Sequence, residues 1–146
     1  LFEFGNFRMV SRLLEGEFIN YRGIIPNEYA TKVKINTKQL LSSVERASLL
    51  AKDDRKYPVK IEINGDKMTI TSNTEIGTVK EDLFVETDGK NIEIGFNPKY
   101  IIEALKAVEE ENISVEFVSN VGPCVIKPLE GDAFVYLVLP VRIKSN

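Results

Sequence analysis

The sequence contains no histidine, which removes at once the commonest general base and the commonest zinc ligand. A single cysteine, Cys124, allows no internal disulfide and fits a reducing, cytoplasmic setting. Long hydrophobic runs are missing too. YLVLPV at 136–141 falls far short of the roughly 20 apolar residues that a membrane helix needs. There is no excess of basic charge: a net charge of -3 argues against a strongly basic grip on nucleic acid, so any such contact comes from a local patch or from topology. No phosphate-cradling glycine loop, serine nucleophile elbow or Cys/His cluster occurs. Nor is there the basic start and apolar stretch of a signal peptide. The first residue is Leu1 rather than Met, so the chain is expected to begin partway through a larger protein.

What is present is an ordinary globular composition, 43% hydrophobic and 28% charged over 146 residues, enough for one domain or one domain with a piece of a neighbour. The opening reads as strand material. Leu1–Phe4 alternates, Gly5-Asn6 offers a tight turn, and Phe7–Leu14 resumes a strand. Glu15-Gly16 reads as a second turn before a strand over Phe18–Ile25, and Pro26-Asn27 marks a boundary because proline ends hydrogen-bonded pairing. So short an opening buries no core of its own.

From Ala30 onward the chain repeats itself. KVKINTKQLLSSVERA (Lys32–Ala47) lies over IEIGFNPKYIIEALKAV (Ile92–Val108), with Asn36 on Asn97 and Lys38 on Lys99. Leu40, Leu41, Val44 and Ala47 fall on Ile101, Ile102, Leu105 and Val108. In each copy an apolar strand runs into an Asn able to cap a helix, whose apolar positions then share one face. Strands follow each helix: Val59–Ile63, Met68–Ser72 and Gly77–Glu86, then Ile113–Val118, Cys124–Lys127 and Phe134–Val141. An Asn64-Gly65-Asp66 turn separates the first two. The unit is strand, helix, three strands, made twice, which predicts an α+β domain with two adjacent helices on antiparallel sheet.

The helix faces opposite the apolar stripes carry Lys38, Ser42, Arg46, Lys99 and Lys106, diluted by Glu45, Glu103 and the run Glu109–Glu111. By itself this reads as a solvated face. Leu49 falls on the polar side of the first helix, without explanation in the periodicity. Asp53, Asp54, Asp66 and Asp82 lie in turns and charged stretches rather than in a recognisable pair. Carboxylates alone suffice for some metal sites, but no spacing marks one here, so neither a metal nor a cofactor is expected.

Three stretches carry a family resemblance. SRLLEGEFINYRGIIP (Ser11–Pro26) resembles the end of the middle domain of the bacterial DNA polymerase III beta subunit, the sliding-clamp family. IGFNPKYIIEALKAV (Ile94–Val108) resembles the second helix of that family's third domain. YLVLPVRI (Tyr136–Ile143) resembles its C-terminal strand. The duplicated unit is also similar to the sliding-clamp building plan. The resemblance implies the last strands of a middle domain plus linker over 1–26 and a third clamp domain over 27–146.

It implies, further, a non-enzymatic processivity factor of DNA replication. Such a protein is a homodimeric ring that encircles duplex DNA and tethers the replicative polymerase. Polymerase, clamp loader and repair proteins dock on it through short motifs with a glutamine, leucines and a terminal phenylalanine. The residues matching the family's peptide pocket are Ile19 and Ile24, then Asn97 and Tyr100, then Val121 and Pro123. Leu137, Val138, Leu139, Pro140, Val141 and Arg142 complete them. Aliphatic walls accept apolar anchors while Asn97 and Arg142 orient them; the plainer alternative is ordinary core and cap. Lys38, Ser42, Arg46, Lys99 and Lys106 become the DNA-facing set, meeting phosphates without reading sequence. Leu49 and Leu50 match a position used in the ring interface. Two departures bear on the pocket: Lys144-Ser145-Asn146 runs past the usual aliphatic terminus, and Gly23 stands where an arginine adjoins the pocket in related clamps. An adaptor domain using the same pocket outside replication, and a carboxylate-dependent enzyme, stand as the other classes.

Overall fold

The structure, a computed structural model, describes residues 1–49 and 58–143. Two short strands open it, β1 (Phe2–Phe4) and β2 (Phe7–Met9), paired antiparallel about a turn in which Gly5 holds a φ of 56°. The strand expected over Phe18–Ile25 does not form, and Phe7–Leu14 is strand only as far as Met9. The stretch holds instead a single 3-10 turn, Tyr21–Gly23. A strand needs a neighbour for its N–H and C=O groups, and past Met9 none lies alongside among the described residues. Phe4, Phe7, Leu13, Leu14 and Phe18 accordingly stay exposed.

The two copies then follow in order. The first is β3 (Thr31–Asn36), α1 (Thr37–Ser48), β4 (Val59–Asn64), β5 (Lys67–Thr74), β6 (Gly77–Phe84) and β7 (Glu86–Gly89). The second is β8 (Ile92–Phe96), α2 (Pro98–Lys106), β9 (Asn112–Phe117), β10 (Cys124–Pro128) and β11 (Tyr136–Val138). Alternation buries Val33 and Ile35 of β3, Val59, Ile61 and Ile63 of β4, and Met68 and Ile70 of β5. Both predicted caps form. The Gln39 N–H donates to Asn36 Oδ1 at 3.1 Å and the Lys99 N–H to Asn97 Oδ1 at 2.9 Å, with Pro98 opening α2 where no N–H is needed.

All pairing among the described residues is antiparallel, and besides the opening ribbon it forms one sheet ordered β11-β10-β9-β3-β7 and another ordered β6-β5-β4-β8. Each sheet mixes the copies, since β3 pairs with β9 and β8 with β4. The end of each copy returns to its own first strand: β7 pairs with β3, and Val141 bridges Gly95 of β8. The chain therefore also changes sheets at the end of each copy, and the stretches expected as single strands over Gly77–Glu86 and Phe134–Val141 are each divided. At the first corner Val85 is buried and its N–H donates to the Asp66 carbonyl at 3.0 Å, while the Thr87 N–H donates to Asp66 Oδ1 at 3.1 Å. At the second, Pro140 has no N–H to continue the ladder with β10.

The helices lie side by side, α1 against β3 to β6 and α2 against α1 and β11. Leu40, Val44 and Ala47 of α1 and Ile101 and Leu105 of α2 enter one core with Phe96 and Phe117, whose rings stand 6.4 Å apart. No helix among the described residues is long and apolar enough to cross a membrane.

Gly89, at the end of β7, holds a φ of 113°, and a Cβ there would run into the Ala30 carbonyl oxygen, which accepts the Lys90 N–H at 3.1 Å. Gly89→Ala should therefore cost about 1–3 kcal/mol of folding stability. The readout is the midpoint of urea unfolding, and an unshifted midpoint would refute the close approach.

Candidate functional site

α2 and the terminal segment enclose an open groove of about 570 Å³, walled by Tyr100, Glu103 and Ala104 on one side and Tyr136 to Leu139 on the other. Strand alternation decides what the terminal segment shows. Val138 is buried in the core, while Leu139 is 65% exposed and Leu137 half-buried, both turned to the groove. Tyr100 sits in the first turn of α2 and is 55% exposed, on a helix whose Ile101 and Leu105 hold it to the core. The Tyr136 hydroxyl donates to the Ala107 carbonyl at 3.4 Å, and its ring lies 5.5 Å from that of Phe134. The hydrogen bond ties the terminal segment to the end of α2. A trough lined mainly by apolar side chains is suited to taking an apolar side chain.

The structure brings Tyr100, Leu137, Val138 and Leu139 together at this groove, and the other predicted pocket residues stand outside its lining. Asn97 is half-buried and occupied as the α2 cap, with the Tyr100 N–H on its carbonyl at 3.2 Å. Pro123 is half-buried just before Cys124, whose register partner is Val138, and Val121 is exposed in the same loop. Pro140 is half-buried; Val141 is held by its N–H donating to the Gly95 carbonyl at 2.9 Å, and Arg142 is exposed. Ile19 and Ile24 lie exposed in the N-terminal segment. Glu103, Ala104 and Tyr136 were not anticipated. Helical spacing of three and four from Tyr100 was the available signal for the first two.

A second groove, of about 540 Å³, runs between α1 and the edge strand β6, lined by Lys38, Ser42, Ser43 and Arg46 facing Asp82 to Phe84. Lys38 and Arg46 are exposed, but Arg46 donates to Glu81 at 2.6 Å, and Glu81 also accepts from Ser43 at 3.4 Å. The Arg46 guanidinium holds the Glu81 carboxyl below the ordinary glutamate range. An inward-pointing charge on an edge strand is one way a sheet avoids further pairing. Ser42 bonds back to the Lys38 carbonyl at 2.7 Å. Lys106 reaches across to Glu45 of α1 at 2.9 Å, whereas Lys38 and Lys99 make no ion pair among the described residues. Of the four cations in the expected basic set, Arg46 and Lys106 are thus shared with glutamates. Leu49 caps α1 and is 75% exposed, as is Phe84 on β6 at 92%, a residue that sequence periodicity did not single out. Leu50, Asp53, Asp54 and Lys144-Ser145-Asn146 lie outside the described residues.

Among the described residues no group of three His, Cys, Asp or Glu side chains is placed to hold a metal. Asp66 ties the first corner, and Asp82 accepts from Thr69 at 2.7 Å and pairs with Lys67 at 2.9 Å, which lowers its pKa. Cys124 is fully buried, and burial pushes its thiol up, away from the reactive thiolate.

The family model of the DNA polymerase III beta subunit, C-terminal domain, matches residues 22–142. The beta sliding clamp of Staphylococcus epidermidis is 36% identical over 144 residues, which take in 97% of this chain and 38% of that protein. The chain thus spans well under half the length of the curated relatives it matches. Among solved structures, the DNA polymerase sliding clamp of Bacillus subtilis superposes with a TM-score of 0.87 at 36% identity, over 92% of this chain and 36% of that one. A putative DNA polymerase III beta subunit of Eubacterium rectale gives 0.85 at 43%, over 90% and 35%.

The pairing of Glu81 with Arg46 has a pH signature. A carboxyl with a lowered folded pKa adds stability that is complete above its ordinary value near 4.5 and is lost as the pH falls through the lower folded value. Glu81→Gln should therefore lose less stability than the parent between about pH 5 and pH 3. Thermal unfolding across that range is the measurement, and parallel profiles for the two proteins would count against the pair.

Proposed function

This chain belongs to the family of the DNA polymerase III beta subunit, in the part that forms its C-terminal domain, and on that premise we propose that it is one arc of a DNA sliding clamp. In this reading residues 1–26 are the last strands and linker of a middle domain, and 27–146 form the third. The exposed apolar side chains of the opening hairpin support it, because an isolated two-stranded ribbon has nothing to bury them against. The complete protein is a cytoplasmic homodimeric ring that encircles duplex DNA and confers processivity on the polymerase without catalysing a reaction itself.

The observation that carries the docking half of the proposal is the groove between Tyr100 and the Leu137–Leu139 segment, apolar, open and backed by the core. Short segments of the polymerase, clamp loader and repair proteins place their leucine and phenylalanine side chains there. Val121, Pro123, Pro140, Val141 and Arg142 extend the wall beyond the groove, and Ile19 and Ile24 close it once the middle domain orders the linker. Asn97 combines its cap with contact to the peptide. Lys38 and Lys99, the two cations of this set that make no ion pair among the described residues, meet phosphates in the channel, with Arg46, Ser42 and Lys106 contributing weakly from their internal bonds. Retention by topology makes weak contact sufficient. Leu49, with Leu50 beside it, anchors the junction to the neighbouring subunit.

Two substitutions test this in the full-length ring. Tyr100→Ala should weaken a fluorescein-labelled clamp-binding peptide by about 1–3 kcal/mol in a polarisation titration; unchanged affinity in a folded variant would remove Tyr100 from the site. Leu49→Glu should shift sedimentation from dimer to monomer while leaving peptide affinity intact, and a variant that still sediments as a dimer overturns the interface assignment.

A further inference from the structure

Glu103 puts a carboxylate on the wall of an otherwise apolar groove, three residues beyond Tyr100 and opposite Leu137–Leu139. It is exposed and enters none of the ion pairs among the described residues. The cation best placed to neutralise it, Lys106, is drawn the other way, to Glu45 of α1 at 2.9 Å. Lys99, one turn earlier on α2, makes no ion pair with it. The groove also ends at the C-terminus of α2, where Tyr136 reaches the Ala107 carbonyl and where unpaired carbonyls give a helix its negative pole. Glu109, Glu110 and Glu111 follow directly and make no ion pair among the described residues either. Among the described residues Glu103 is the one charged side chain lining the groove, beside a wall that accepts aliphatic and aromatic side chains.

We propose that Glu103 is a specificity residue of this groove, selecting segments that carry a lysine or arginine beside their apolar anchor. The proposal rests on the reading of the groove as a peptide-docking site and adds the charge of the occupant. The anchor fills the trough against Tyr100 and Leu139, and the basic side chain lies along α2 to meet the carboxylate. The carboxylate stays partly hydrated, so its effect is on the ranking of partners more than on affinity itself. An acidic segment is disfavoured by the same field.

The test uses the full-length clamp containing this chain and one labelled peptide in three versions, with lysine, glutamine or glutamate next to the apolar anchor. Polarisation titrations against the parent, Glu103→Gln and Glu103→Lys give the ranking directly. In the parent the lysine peptide should bind about two- to fivefold more tightly than the glutamine peptide, and the glutamate peptide less tightly than either. Glu103→Gln should flatten that order, Glu103→Lys should invert it, and added salt should shrink the spread. If all three proteins rank the peptides alike while Tyr100→Ala weakens every one, the groove is a docking site and charge selection by Glu103 is overturned. If no peptide binds the parent saturably, the docking reading itself fails and the inference with it.

Discussion

The backbone hydrogen bond from the Val141 N–H to the Gly95 carbonyl, at 2.9 Å, ties the terminal segment to the far sheet just beyond the residues that wall the groove. Up to Val138 this segment is the edge strand of one sheet; from Val141 it belongs to the other. Glycine at residue 95 suits this close approach, since a Cβ there would stand 2.6 Å from Ile143 Cγ1 and 3.1 Å from the Val141 carbonyl oxygen, and the Ile143 side chain would have to move. Between the two attachments Leu139 has no strand neighbour of its own and remains open beside α2. The corner at Val85 solves the same problem in the first copy, with Asp66 supplying two acceptors in place of the interrupted ladder.

This construction gives the helix pair two flanks with different electrostatics. On the β6 flank, Arg46 and Glu81 cancel beneath Lys38, leaving an exposed Phe84 and a mixed rim. On the β11 flank, Lys106 turns toward α1 and leaves Glu103 alone beside the trough. Each ion pair is exposed enough to add little stability. Their consequence lies in which charges they remove from the surface and which they leave.

Much of the fold was legible in the residues. The repeat from Asn36 to Asn97 marked both helix starts, and period-two burial in KVKI and VKIEI marked strands that form where expected. The strand at Phe18–Ile25 did not form, since an alternating apolar pattern makes a strand only where another strand pairs with it, and none does among the described residues. Of the pocket, Tyr100 and Leu137–Leu139 were identified through family resemblance and meet in one groove. Glu103 was noticed only as a charge diluting a basic face; its spacing of three from Tyr100 puts it on the same helix side, but the terminal segment opposite it is 36 residues away in sequence, at Leu139.

Periodicity, capping residues and the repeat determined, without any tertiary information, that this chain makes two helices over antiparallel strands. Each of those features acts within a few residues of itself, so a local pattern is enough to specify it. The sheet changes at Val85 and Pro140, the pairing of Arg46 with Glu81 and the juxtaposition of Tyr100 with Leu139 were decided only in the folded molecule. They join residues dozens of positions apart, and which of several equivalent partners meet depends on how the two sheets and two helices pack, a choice made by the core as a whole.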